Sequence, residues 1–375
     1  MVSTSTLALG VTGTACLAVL AKVLMPPLQR RMWSKELSAI PLGAYLSFEL
    51  RAKFVHTLIL ASGVAKDLEL LPDVEILSPL VIRIKGSNPG RLTLQGTNTY
   101  LVGDGPKRVL IDASCGEDAY VDTLLRVCEA HRVTEITDVV LTHAHLDHMG
   151  GILRVKSAFP GVKVWKYLPA NGKDLALRVT NAECKLLGIQ HLPDGKEWKL
   201  GDSGVLRAQH TPGHCVDHVS FLLEEKSKSL LRSKQTLALF SGDCVLGHGS
   251  CAFESLKDLM VSLDALKAKK PQVIYPGHGP VVLDAMGKLN EYISHRQERE
   301  AEIIAVLQQA QATSTPDLSP MQIVKRVYKQ LPVTLRVPAR RSVQQHLDKL
   351  LHEKRVVEVH GVRWFAPPVT YKLVK

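Results

Sequence analysis

Residues 142 to 151, Thr-His-Ala-His-Leu-Asp-His-Met-Gly-Gly, constrain the fold of this chain more than any other stretch. They place His143, His145, Asp147 and His148 directly after the apolar run Val139-Val140-Leu141. A β-branched run of this kind reads as a buried strand, so the cluster falls in the loop at its end. Gly150-Gly151 lets the backbone turn tightly beneath it. His143 and His145 alternate and share one face of the extended part, while the turn sends Asp147 and His148 elsewhere. Four ligand-type side chains divided in this way suit two metal ions side by side. Imidazole and carboxylate are the ligands zinc prefers, with manganese or iron as alternatives.

Three later turns supply more of the same residue types. Val205-Leu206-Arg207-Ala208 leads into Thr211-Pro212-Gly213-His214, where proline and glycine force a turn with His214 at its apex. Leu237-Ala238-Leu239-Phe240 ends in Ser241-Gly242-Asp243, and Val273-Ile274-Tyr275 runs into Pro276-Gly277-His278-Gly279-Pro280. One histidine after a turn, or one aspartate at a glycine turn, is ordinary. The repetition is not, because it gathers the ligands along one edge of a pair of sheets. His214 is then the natural third ligand of the first metal, and His278 completes the second. The carboxylate of Asp243 can bridge two cations, which a single imidazole nitrogen cannot do.

The pattern His-x-His-x-Asp-His, followed by a lone His, a lone Asp and a lone His, closely resembles the metallo-β-lactamase superfamily. That resemblance implies an α/β fold, a four-layer αββα sandwich with a two-metal hydrolytic site. It assigns His143, His145 and His214 to the first metal, Asp147, His148 and His278 to the second, and Asp243 to both. The segments Asn88–Gly103, Phe240–Gly247 and Tyr292–Arg296 are similar to the β-lactamase-like protein 2 branch. In animals this branch implies a mitochondrial endoribonuclease acting on single-stranded RNA. The similarity runs from about residue 75 to near 365; a Lys/Ser-rich insertion at Glu224 to Gln235 departs from it and reads as a surface loop. Residues 244 to 277 are too few for the large cap domain of nucleases that process messenger RNA ends. A secreted β-lactamase would usually carry a cysteine where Asp243 stands. A glyoxalase II-like thioesterase shares every ligand named here, so a small-molecule thioester stays open as the alternative substrate.

The remaining sequence divides around this core. Residues 1–39 are apolar, then basic, with no acid before Glu36. They suit a mitochondrial presequence, which places the protein in the matrix, with a membrane anchor or an untargeted cytosolic helix as alternatives. Residues 40–73 read as a helical linker, 74–284 as the metallo-β-lactamase domain opening on antiparallel strands, and 285–311 as a connecting helix. Residues 312–375 look like a small winged helix: a helix capped by Ser319-Pro320, a second over about 340 to 353, and a hairpin of Val356–Val359 with Val362–Phe365. The seven scattered cysteines form no disulfide framework and no zinc knuckle, which points to a reducing compartment.

From residue 312 onward there are 12 Lys/Arg against 4 Asp/Glu, a net +8 of the chain's +11. Charge so concentrated is the electrostatic footprint of a phosphate backbone. Lys325, Arg326, Arg340, Arg341 and Lys349 are the candidate substrate contacts, and His295 and Arg296 face either substrate or a surface ion pair. Two Zn²⁺ ions would lower the pKa of a shared water enough to give hydroxide near neutral pH. That hydroxide would attack a phosphodiester or a thioester carbonyl, with Asp147 orienting it and accepting its proton. The expected function is therefore a binuclear metal-dependent endoribonuclease for single-stranded RNA, with thioesterase activity as the alternative. The low aromatic content, 5%, gives little support for extensive base stacking, and the sequence leaves the oligomeric state open.

Overall fold

The structure, a computed structural model, describes residues 40–64, 67–170, 179–225, 236–313, 317–359 and 369–374. The presequence or anchor reading of residues 1–39 lies outside them, as does most of the expected insertion loop. Among the described residues no helix is long and apolar enough to cross a membrane.

The chain opens with α1 (Leu42–Ala61) and then builds a sheet from β1 (Val74–Ser78), β2 (Val81–Lys85), β3 (Asn98–Val102) and β4 (Lys107–Ile111). Helix α2 (Asp118–Ala130) crosses to β5 (Glu135–Val140), and the short α3 (Leu146–Met149) and α4 (Ile152–Ala158) cross to β6 (Lys163–Lys166). After α5 (Asn181–Leu186), β7 (Ile189–His191) closes this sheet in the order β1-β2-β3-β4-β5-β6-β7. The first four strands pair antiparallel and the last four parallel. The second sheet runs β12-β11-β10-β9-β8, with β8 (Glu197–Leu200), β9 (Gly204–His210), β10 (Val219–Glu225), β11 (Thr236–Gly242) and β12 (Val273–Pro276). Helix α6 (Leu256–Ala268) lies between β11 and β12 in sequence, and α7 (Ala285–Gln311) follows β12.

Alternation along each strand sorts its side chains into layers. On β3, Tyr100 and Val102 enter the core between the sheets, where they meet Leu206, Phe221, Leu223 and Phe240; Leu101 turns outward onto Tyr120 and Leu124 of α2. On the second sheet, Leu222, Leu239 and Ile274 face the other way, onto Leu259 and Leu263 of α6 and Leu289, Tyr292 and Ile293 of α7. The result is the four-layer αββα sandwich. Each fully buried Leu, Ile or Phe contributes roughly 1.5–3 kcal/mol to holding it.

Two expectations change here. The stretch read as a helical linker contains α1, whose Tyr45, Phe48, Ala52 and Ile59 are buried and whose Tyr45 and Phe48 join the core beneath the first sheet. The cluster read as a loop includes one helical turn, α3, against which α1 packs.

The C-terminal part is α8 (Pro320–Val327), a 3-10 turn at Val333–Leu335, α9 (Arg336–His352), and a hairpin of β13 (Val356–Val359) with β14 (Thr370–Leu373). Ser319 caps α8 in a reciprocal box with Gln322, and Pro320 stands at its first turn. The hairpin partner of Val356–Val359 is thus Thr370–Leu373; Val362–Phe365 lies outside the described residues. Ile323, Val324, Val343, Leu347, Leu350, Val356 and Tyr371 make a separate small core that also takes Ile303 and Leu307 of α7. The connecting helix therefore belongs to two cores, giving Leu289 and Tyr292 to the sandwich and its last turns to the winged helix.

Candidate metal centre

The ligand-type residues lie just beyond the carboxyl ends of five strands. His143 follows β5, His214 follows β9, Asp243 follows β11, His278 follows β12, and Asp112 follows β4. Backbone bonds stitch these ends together: Val219 N–H donates to Thr142 O (2.7 Å), and Gly277 N–H donates to Gly242 O (2.9 Å). The His278 turn is anchored from β3 by Asn98 Nδ2, which donates to Pro276 O and Gly279 O, and by the Tyr100 hydroxyl, which also donates to Pro276 O. Space explains two glycines. A Cβ on Gly277 would meet Asp243 Oδ1 at 2.6 Å, and one on Gly242, whose φ is +49°, would meet His218 Nε2 at 2.6 Å.

The residues converge in two groups, each with ligand atoms within 4.8 Å of one another: His143, His145, His214 and Asp243, and Asp147, His148 and His278. In the first, His145 Nδ1 stands 2.7 Å from His143 Nε2 and 3.1 Å from His214 Nε2. In the second, His148 Nε2 and His278 Nε2 are 3.2 Å apart, with Asp147 Oδ2 at 3.5 Å and 3.3 Å from them. Asp243 lies between the groups. Its Oδ2 is 3.7 Å from His214 Nε2, and its Oδ1 is 3.4 Å from both His148 Nε2 and His278 Nε2.

Hydrogen bonds behind the rings decide which nitrogens point inward. His214 Nδ1 lies 2.8 Å from the Ala252 carbonyl, and His148 Nδ1 lies 2.8 Å from Asp112 Oδ2. A carbonyl and a carboxylate only accept, so both Nδ1 atoms carry hydrogen, and in the neutral rings Nε2 is a lone pair. Thr142 Oγ1 donates to Asp112 Oδ2 and thereby accepts from His143 Nδ1, which gives His143 the same tautomer. Inward-facing lone pairs and two carboxylates within one small volume require cations. The donor set fits metal ions, and of a kind that takes nitrogen and oxygen together.

Without a metal, protons fill that role. Burial disfavours charge on His148 and His278, but Asp243 and Asp147 outweigh it; His148 is held well above the usual imidazole range and His278 is pushed up to about 9. Burial would raise Asp147 and Asp243, yet the neighbouring imidazoles hold both well below the usual carboxylate range. His143 goes the other way, driven down by burial and then by His148, His145 and His214.

Two residues of the site escape a motif-based reading. Asp112, at φ +59°, accepts from Thr142 N–H (2.8 Å), the Thr142 hydroxyl and His148. Its signal is an acid ending an apolar strand, the same signal that marks Asp243. His218, fully buried and pushed down to about 3 by burial and by His214, accepts from Asp243 N–H (3.1 Å). It follows His214 in the same turn.

The candidate substrate contacts do not gather. Arg341 lines a cavity of about 640 Å³ whose wall also includes His145, His214, Ser250, Phe253, Val337 and Ser342. Lys325, Arg326 and Arg340 are exposed but line no part of it. Lys349 pairs with Glu300 and Glu353, each at 2.7 Å. His295 is exposed. Arg296 is buried, its guanidinium 4.7 Å from the Tyr292 ring, and it donates to Ser250 Oγ (3.2 Å) on the loop whose Ala252 carbonyl orients His214.

A four-layer αββα sandwich with paired His/Asp clusters at its strand ends defines a class of metal-binding hydrolase. The chain belongs to the metallo-β-lactamase superfamily, whose members are metal-dependent hydrolases; residues 92–278 match that family and residues 319–364 match the β-lactamase-associated winged helix domain. Within it, the chain is 38% identical over 292 residues to a β-lactamase-like protein 2 homolog from Drosophila melanogaster, covering 76% of this chain and 93% of that protein. It is 35% identical over 251 residues to an atrochrysone carboxyl ACP thioesterase from Aspergillus fumigatus, covering 66% of this chain and 71% of that one. A β-lactamase domain protein from Burkholderia ambifaria shares the fold at a TM-score of 0.61 and 17% identity, covering 85% of this chain and 98% of that one.

Proposed function

We propose that this protein is a binuclear zinc hydrolase that cleaves single-stranded RNA internally. The observation that carries this reading is the placement of the basic C-terminal part. The segment holding +8 of the net +11 charge packs its helix α9 beside the metal centre, where it forms one wall of the cavity. Basic charge carried beside the site raises the local concentration of a polyanionic substrate.

His143, His145 and His214 would hold one zinc ion, Asp147, His148 and His278 the other, and Asp243 would touch both. When bound, the ions would acidify a water and draw charge from the group under attack. The side chains supply the rest. Asp147, ionised and only partly buried, orients that water and accepts its proton at a carboxylate oxygen. Asp112 keeps a hydrogen on His148 Nδ1, and Ala252 keeps one on His214 Nδ1, so that neither ring turns away from the centre.

A second reading has its own support. Cys251, Ala252, Phe253, Val337 and Pro338 make much of the cavity apolar, which suits an acyl chain, and three relatives are described as thioesterases. The two readings separate in one experiment. Zinc-loaded protein and its Asp147→Ala variant are incubated with labelled single-stranded RNA and with S-lactoylglutathione. The nuclease reading expects RNA cleavage that weakens with salt and is lost in the variant; intact RNA beside rapid thioester turnover would overturn it.

A further inference from the structure

We propose that Arg341 selects the substrate's charge at this site, by binding the phosphate next to the one being cleaved. The inference rests on the nuclease reading and names the residue that gives it specificity. Val337, Pro338, Arg341, Ser342 and Gln345 recur on α9 at a helical spacing that puts them on one face, and all of them line the cavity. Val343, Leu347 and Leu350 take the opposite side into the winged-helix core. The cavity floor carries His145 and His214, and its far wall is the loop from Ser250 to Glu254. A group held by Arg341 therefore shares one half-open cavity of about 640 Å³ with two residues of the metal centre.

Three observations single out Arg341 among the basic residues of this domain. Among the described residues lining the cavity it is the only Lys or Arg. Its guanidinium makes no hydrogen bond or ion pair among the described residues, whereas Lys349 is neutralised by two carboxylates. A second cation stands behind the facing wall: Arg296 is buried, has no carboxylate partner among the described residues, and donates to Ser250 Oγ of that loop. Glu254 is the single acid among the described residues of the lining. A guanidinium at the cavity rim favours a planar two-point contact with phosphate oxygens. Phe253, Val337 and Pro338 beside it offer the apolar surface that a base needs.

The test uses the full zinc-loaded chain in the cleavage-deficient Asp147→Ala background, with binding of a labelled single-stranded oligoribonucleotide followed by fluorescence anisotropy across a salt series. Adding Arg341→Ala should weaken binding about tenfold and reduce the slope of log affinity against log salt by about one. Arg341→Lys should recover part of the loss, and Lys329→Ala, an exposed charge in the same domain, should change neither value. In the cleaving protein, Arg341→Ala should raise KM with little change in kcat. One neutral methylphosphonate, walked along the substrate, should reproduce the KM increase at a single position and add nothing to Arg341→Ala there. RNA cleavage with unchanged affinity and salt slope in Arg341→Ala would overturn this inference and leave the nuclease reading standing. RNA that the wild-type chain neither binds nor cuts would overturn both.

Discussion

At the scale of single residues, the centre is held by acceptors as much as by ligands. Asp112 fixes the proton on His148 and, through the Thr142 hydroxyl, the proton on His143. Asp112→Asn presents an amide in place of one acceptor oxygen, so one of those rings loses its tautomer. We expect zinc affinity to fall between about 10- and 100-fold, measured by competition with a chromophoric chelator, while far-ultraviolet circular dichroism stays unchanged. An unchanged affinity would show that backbone placement alone orients the rings. The seven ligand-type residues were legible in the sequence because each follows a short apolar strand and three of them sit in Gly/Pro turns. Asp112 and His218 were not, since a polar residue at the end of a strand is common. Their link to the site runs through hydrogen bonds to partners 25 to 36 residues away.

At the scale of elements, helix α7 couples the two halves of the molecule, and α9 adds a pH-sensitive contact beside it. His346 on α9 is buried, and burial, followed by the charges of Lys349, Arg299, Arg296 and His295, pushes it down to about 3. In the unfolded chain this imidazole titrates near 6.5. Between those values the unfolded state binds the extra proton, so the contribution of His346 is fully present above about 6.5 and is lost as pH falls toward 3. The expected slope is at most about 1.4 kcal/mol per pH unit. Urea midpoints at pH 7 and pH 5 should therefore converge in His346→Gln relative to wild type; an equal shift in both proteins would mean that His346 gains its proton without cost. Element boundaries were legible where periodicity ran long, as in α7, whose expected and observed ranges coincide. They failed where tertiary pairing decides. Thr370–Leu373 became the partner of β13 because Tyr371 is buried in the winged-helix core and pairs with Leu318, a contact that local β propensity does not report.

At the scale of the whole molecule, the four layers do one thing for function: they bring the carboxyl ends of β4, β5, β9, β11 and β12 to one place. The winged helix then closes one side of that place with a basic helix. Fold and ligand order are legible in the sequence because strands, turns and ligands recur in one pattern along the chain. The cavity was not, because its walls come from α9 and from the Ser250–Glu254 loop, which lie far apart in sequence. The proposed hydrolysis depends on the centre holding two ions that share Asp243. The most direct test is the zinc content of the purified full-length chain and of Asp243→Ala, by mass spectrometry after dialysis against a weak chelator. Two zinc ions per wild-type chain, falling to one or none in the variant, is the expected result. A single ion in the wild type, or two retained equally well without Asp243, would contradict it.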